Sequence, residues 1–113
     1  MFDCRCLPNP GKFEEYQVLT GLDTSVQDWL EAKEETAMFL NHVKGTLDLS
    51  VKRYIARDFE RLMVSCGCTG GQHRSVYVAE NLGKHFSRYP GLSVQLTHTE
   101  RSFWPASTQL QER

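Results

Sequence analysis

Leu62-Met63-Val64-Ser65-Cys66-Gly67-Cys68-Thr69-Gly70-Gly71-Gln72-His73-Arg74-Ser75 is the stretch whose reading decides the fold. Residues 62–66 form a near-continuous apolar run, as expected of a strand covered on both faces. Val76, Ala79, Leu82 and Phe86 follow at helical spacing. Between the two lies a loop whose glycines let successive N–H groups converge on one point. The open N–H groups at a helix start add donors and the positive end of the dipole. Arg74 adds a planar fork of donors suited to a phosphate. Strand, glycine loop and helix start together predict an oxyanion site.

Working outward, residues 1–7 predict a first strand, with Phe2, Cys4 and Cys6 alternating with Asp3 and Arg5. Pro8-Asn9-Pro10-Gly11 ends it. A chain that opens inside a strand suggests a stand-alone copy of a domain that elsewhere follows another one. Thr24 and Gln27 stand at capping-box spacing ahead of a helix with Val26, Trp29 and Leu30 on one face. A longer helix carries Phe39, Leu40, Val43, Leu47, Val51, Tyr54 and Ile55, with a kink or break expected near Gly45. Beyond the third helix, Tyr89-Pro90-Gly91 is a stop. Leu92, Val94 and Leu96 then alternate with polar residues in a last strand ending near His98.

The order β-α-α-β-α-β predicts an α/β fold: a small three-layer domain with a mainly parallel three-stranded sheet. Right-handed crossovers place all three strand C-termini, and the polar clusters beside them, on one edge. Residues 1–100 form this domain. Residues 101–113 form a partly flexible tail, in which Phe103 and Trp104 pack back on the domain and Thr108 onward frays.

The 113 residues carry a formal charge of −1, which argues against a generally basic nucleic-acid binder. Residues 1–60 hold a net −4 and residues 61–113 a net +3, a mild positive bias around the loop. No apolar run reaches membrane-spanning length, so a cytoplasmic protein without membrane contact is expected. The four cysteines form two Cys-x-Cys pairs, Cys4/Cys6 and Cys66/Cys68. That is not the usual zinc-knuckle spacing, and reduced free thiols with no metal and no cofactor are expected.

Two mechanisms fit the loop. Cys68, Gly71, Arg74 and Ser75 stand at C-x-x-G-x-x-R-S spacing, that of cysteine-dependent phosphatases, in which a thiolate attacks phosphorus. Such enzymes also need an acid on a second loop, and Trp104-Pro105-Ala106 has none. The alternative is binding without chemistry. The amides of Thr69, Gly70 and Gly71, with Arg74 and His73, then hold a phosphate monoester, and Asp3 or Asn9 reads hydroxyls or an amine. Asp3 and Arg5, on one face of the first strand, either read the ligand or form a structural ion pair.

The chain resembles the C-terminal domain of the RapZ family of bacterial RNase adapters, described as nucleotide-binding proteins. The resemblance rests on Phe2-Asp3-x-Arg5-Cys6-Leu7-Pro8-Asn9-Pro10, Leu19-Thr20-Gly21-Leu22-Asp23, and the run from Gly67-Cys68-Thr69-Gly70 through Glu80. It implies a phosphofructokinase-subdomain-like fold and binding of an amino-sugar phosphate, glucosamine-6-phosphate, in proteins that also bind small RNAs. Carried onto matching positions, the ligand-binding residues are Asp3, Thr69, Gly70, Gly71, His73, Arg74 and Ser75, supported by Arg5 and Asn9; Gln72, in the same loop, completes the expected ligand set. The expected role is regulatory rather than catalytic. Expected partners are a small phosphorylated metabolite, RNA, and a separate kinase-like protein supplying the Walker-type half that this chain lacks. Gly11 stands where many members have histidine, and the tail holds only Arg101 and Arg113 where some members have a lysine-rich segment.

Overall fold

The structure, a computed structural model, describes residues 1–105. Helices form where apolar spacing matches the helical period. Helix α2, Thr24–Glu31, buries Val26 and Leu30. Helix α3, Glu34–Ala56, buries Leu40, Val43, Leu47 and Val51 along one stripe and runs unbroken through the exposed Gly45. Helix α4, Arg74–Ser87, buries Val76, Tyr77, Val78, Leu82 and Phe86. Residues from all three helices meet with Cys4 and Leu7 in one core. A short helix that the spacing did not announce, α1 (Glu14–Gln17), lies between the N-terminal turns and α2.

The predicted three-layer domain with a three-stranded sheet is not formed. Among the described residues there are two strands of two residues each, β1 (Phe2–Asp3) and β2 (Cys66–Gly67). They pair in parallel, Phe2 with Cys66 and Asp3 with Gly67. Each shortfall has a local cause. The Asp3 carboxylate accepts the Arg5 N–H at 3.0 Å and winds Cys4–Cys6 into a 3-10 turn, ending β1. Residues 62–64 are exposed, Met63 at 88%, because no second neighbour among the described residues covers them. In residues 92–98 the alternation reflects one covered side. Leu92 packs on the core and Leu96 lies against Gly83 of α4. The main-chain bonds of the segment are local turns at its two ends, Leu92 N–H to the Tyr89 carbonyl and Arg101 N–H to the His98 carbonyl, and no strand edge pairs with residues 93–97 among the described residues.

Two further expectations change. The Thr24–Gln27 capping box does not form. Asp23 is the N-cap, its carboxylate accepts the Thr20 N–H at 2.8 Å, and Gln27 Nε2 donates to the Gly21 carbonyl. Trp104 is buried, but Phe103 is 80% exposed. Thr108 onward lies outside the described residues. Among the described residues, no helix is long and apolar enough to cross a membrane.

The parallel pair is short, yet it decides where the site lies. It brings the turn that follows β1 and the glycine loop that follows β2 out on the same end, against the N-terminus of α4.

Candidate functional site

At that end lies a cleft of about 200 Å³ lined by Asn9, Gly11, Cys68, Thr69, Gly70, Gln72, His73 and Arg74. Six of these are predicted ligand residues. Of the others predicted, Gly71 and Ser75 are in the loop but not on the lining, and Asp3 and Arg5 stand apart from it. His98, predicted near the same rim, instead holds Glu80 at 2.9 Å and packs beside the Trp104 ring. Gly11 and Cys68 line the cleft without having been counted as ligand residues. The signal for Cys68 was its phosphatase-like spacing.

The buried Arg74 side chain is oriented by the N-terminal segment. Its Nη1 donates to the carbonyls of Arg5 (3.0 Å) and Leu7 (3.1 Å), and its Nη2 to Thr69 Oγ1 (3.4 Å). The Nε proton and one Nη2 proton have no partner among the described residues. The guanidinium thus ties the β1 turn to α4 and keeps donors in reserve on the cleft.

The residues beside it are stitched to the segment 16–21. Gln72 Nε2 donates to the carbonyls of Gln17 and Leu19, both at 2.8 Å, and the Gly21 N–H donates to the Gln72 carbonyl. His73 Nε2–H donates to the Tyr16 carbonyl at 2.8 Å, which leaves Nδ1 as the acceptor nitrogen beside Gly11. Burial pushes the His73 pKa below its ordinary value, outweighing the carbonyls of Tyr16 and Leu19 that raise it. A neutral imidazole offers this cleft a lone pair, not a charge.

The loop amides divide. Those of Gly71 and Gln72, with the Ser75 N–H and hydroxyl, close on the Cys68 sulfur, whose Sγ lies 3.2 Å from Ser75 Oγ. Burial raises the Cys68 pKa, but these hydrogen bonds outweigh it and the net shift is downward. The N–H groups of Thr69 and Gly70 have no partner among the described residues and belong to cleft-lining positions. Gly71 takes the left-handed conformation, φ 64°, with Glu100 packed where a side chain would project. Its carbonyl accepts the Trp104 Nε1–H at 2.9 Å. The segment after α4 therefore buttresses the loop from behind.

Asp3 and Arg5 form an exposed, forked ion pair, Nη2 to Oδ2 at 2.8 Å and Nε to both carboxylate oxygens. The side-chain hydrogen bonds from Arg5, then its backbone N–H, hold the Asp3 carboxyl at about 2. Arg74 is near enough to add a weaker pull in the same direction. The four cysteines are free thiols, and no cluster of His, Cys, Asp or Glu that could hold a metal occurs among the described residues.

These features define a small, mainly helical α/β domain with an open donor-rich loop at the end of a parallel strand pair. The chain belongs to the RapZ C-terminal domain family, whose profile matches residues 1–102. It is 42% identical over 103 residues to a nucleotide-binding protein of Lactobacillus acidophilus, covering 90% of this chain and 34% of that protein. A nucleotide-binding protein of Marinobacter nauticus is 41% identical over 100 residues (88% and 34%), and one of Bacillus cytotoxicus 39% over 100 residues (88% and 33%). The chain spans about a third of the length of the curated relatives it matches.

Proposed function

We propose that this domain binds a small phosphorylated metabolite, an amino-sugar phosphate such as glucosamine-6-phosphate, and acts as a sensor rather than an enzyme. The observation that carries the reading is the cleft itself. Two amides without partners among the described residues, the spare donors of Arg74 and the acceptor face of His73 meet there around about 200 Å³. The donors suit phosphate oxygens, with the α4 N-terminus behind them. His73 Nδ1 and Asn9 suit the hydroxyls or amine of the sugar. Asp3 joins them by exchanging Arg5 for the ligand's ammonium, an inexpensive exchange for an exposed pair. The volume lies below the roughly 300–1,000 Å³ of drug-sized pockets, so it suits a monosaccharide phosphate or the phosphate end of a nucleotide.

Titration of the labelled protein with glucosamine-6-phosphate, glucose-6-phosphate, a nucleoside monophosphate and inorganic phosphate tests this. Saturable shifts of the Thr69, Gly70 and Arg74 amide signals are expected, largest for the amino sugar. Unmoved signals at millimolar concentrations of all four would defeat the reading.

A second reading has one observation behind it. The amides around Cys68 and its lowered pKa are what a nucleophilic thiolate requires. Against it, no carboxylate among the described residues lines the cleft to act as the acid, and Arg74 Nη1 is held by carbonyls. Turnover of an aryl phosphate that vanishes in Cys68→Ser would favour it over binding alone.

A further inference from the structure

The two Cys-x-Cys pairs are brought side by side by the β1–β2 pairing. Phe2 sits opposite Cys66, so Cys4, just past the end of β1, turns in against β2. Cys4 is completely buried, its thiol directed at the Phe2 carbonyl (Sγ to O 3.9 Å), and Cys66 packs against the same core beside it. Cys66 is half-buried and lines a second opening, a groove of about 540 Å³ between α3, α4 and the segments 60–64 and 92–96. One sulfur of the pair is therefore sealed in the core and its neighbour faces a path to solvent.

The pair is also electronically uneven. The neighbouring Cys4 thiol favours the Cys66 thiolate and draws its pKa below the ordinary thiol value, despite burial. The nearby Cys66 thiolate, with burial, pushes Cys4 far above it. The roles of attacking and resolving thiol fall on different residues.

We propose that Cys66 and Cys4 form a redox-active pair, in which a hydroperoxide oxidises Cys66 and Cys4 closes a reversible disulfide between β2 and the N-terminal turn. The Cys66 thiolate attacks one peroxide oxygen. An S–O bond forms, the O–O bond breaks, and the departing hydroxide takes a proton to become water. The Cys4 sulfur then attacks the sulfenic sulfur of Cys66. The S–S bond forms, the S–O bond breaks, and the Cys4 proton leaves with the hydroxide as a second water. Two thiols and one hydrogen peroxide give one disulfide and two waters, a two-electron oxidation of sulfur matched by reduction of the peroxide. A dithiol reductant reverses it.

The other two thiols are less suited. Cys6 is exposed on the turn, and Cys68 is held inside the glycine loop by Ser75 and the loop amides. Cys66 and Cys68 lie two residues apart along the chain, which when extended separates their Cα atoms by about 6.6 Å, near the limit for a disulfide. Closure of the Cys4–Cys66 bond fixes the turn whose carbonyls, at Arg5 and Leu7, hold Arg74. Oxidation therefore stiffens one wall of the cleft.

The full reduced chain is exposed to hydrogen peroxide, denatured in iodoacetamide, and mapped with trypsin without reduction. Cleavage after Arg5 separates Cys4 from Cys6, while Cys66 and Cys68 share the peptide of residues 62–74. The expected product joins residues 1–5 to residues 62–74 with the loss of two hydrogens, leaving Cys6 alkylated. It persists in Cys68→Ser and is lost in Cys66→Ser. In Cys4→Val, which keeps the buried site apolar, Cys66 accumulates as a sulfenic acid trapped by dimedone. A link from Cys4 that survives in Cys66→Ser would overturn the proposal. So would four alkylated thiols under peroxide that fully oxidises glutathione in the same tube.

Discussion

Arg74 and His73 show how a polar residue beside the cleft also serves as structure. The Arg74 guanidinium spans two carbonyls from a turn sixty-odd residues away, and a lysine ammonium cannot reproduce that planar fork. Arg74→Lys should lower stability by roughly 1.5–3 kcal/mol, the scale of hydrogen bonds made by a charged group, and weaken anion binding as well. The urea midpoint reads the first effect and phosphate titration the second. Arg5→Ala, which removes only the exposed partner of Asp3, should leave the midpoint where it was. His73 predicts a pH effect of definite sign. Its folded pKa lies below the ordinary 6.5, so below that pH the unfolded chain takes up a proton that the folded one resists. The stabilisation is complete above pH 6.5 and is lost as the pH falls through the folded pKa. The thermal midpoint should therefore drop on acidification through this window. In His73→Gln, whose amide can still reach the Tyr16 carbonyl, that component of the drop should be absent; an unchanged pH profile would show that another group carries it.

At the scale of elements, helix ends and close approaches set the boundaries. Helix α3 closes with the Phe59 N–H on the Tyr54 carbonyl and the Asp58 N–H on the Ile55 carbonyl, the Tyr54 and Phe59 rings meeting edge to face. This closure puts Asp58 at φ 59°, a conformation that costs a β-carbon residue more than it costs glycine. Asp58→Gly should raise stability by about 0.5–1 kcal/mol in chemical denaturation. Gly21 behaves in the opposite way. A methyl group there would meet the His73 carbonyl, the Tyr77 nitrogen and the Val76 Cβ, and the first two are backbone that cannot step aside. Gly21→Ala should cost about 3 kcal/mol, the upper part of the usual overpacking range. These details also mark what the sequence could disclose. The stripe Leu40, Val43, Leu47, Val51 announces α3 because burial of a helix face leaves a period in side-chain type. The loop from Thr69 to Arg74 announces its donors in the same way, through glycines and arginine. What those donors bond to was hidden, because the carbonyls of Arg5, Leu7, Tyr16, Gln17 and Leu19 belong to the backbone, which every residue shares. Gly21, read from the sequence as part of a loop, is a contact point with α4 whose partners lie more than fifty residues on.

Across the whole molecule, the misread strands become a statement about dynamics. Residues 92–98 have strand-like alternation, and residues 62–66 a strand-like apolar run. Alternation records which side chains share a covered face; it does not record whether a hydrogen-bonding edge lies alongside. Here the covering surface is helical, with Leu96 against Gly83 of α4, and the groove of about 540 Å³ separates the two segments. Their main-chain groups are left to solvent along most of their length, since the β1–β2 pairing engages only residues 65–67 of this region. A fold of this kind should open locally at two very different free energies. Amides of residues 62–64 and 93–97 should exchange with deuterium at the earliest times, close to unstructured rates. Those of Leu40 through Val51 in α3 and Val78 through Phe86 in α4 should exchange only by global unfolding, in step with the urea-derived stability. Slow exchange at 93–97 would require that segment to pair with a strand edge and would restore the larger sheet. Binding of a sugar phosphate at the opposite end of the strand pair should slow Thr69 and Gly70 without altering 93–97, because among the described residues the two regions share α4 but no hydrogen bond.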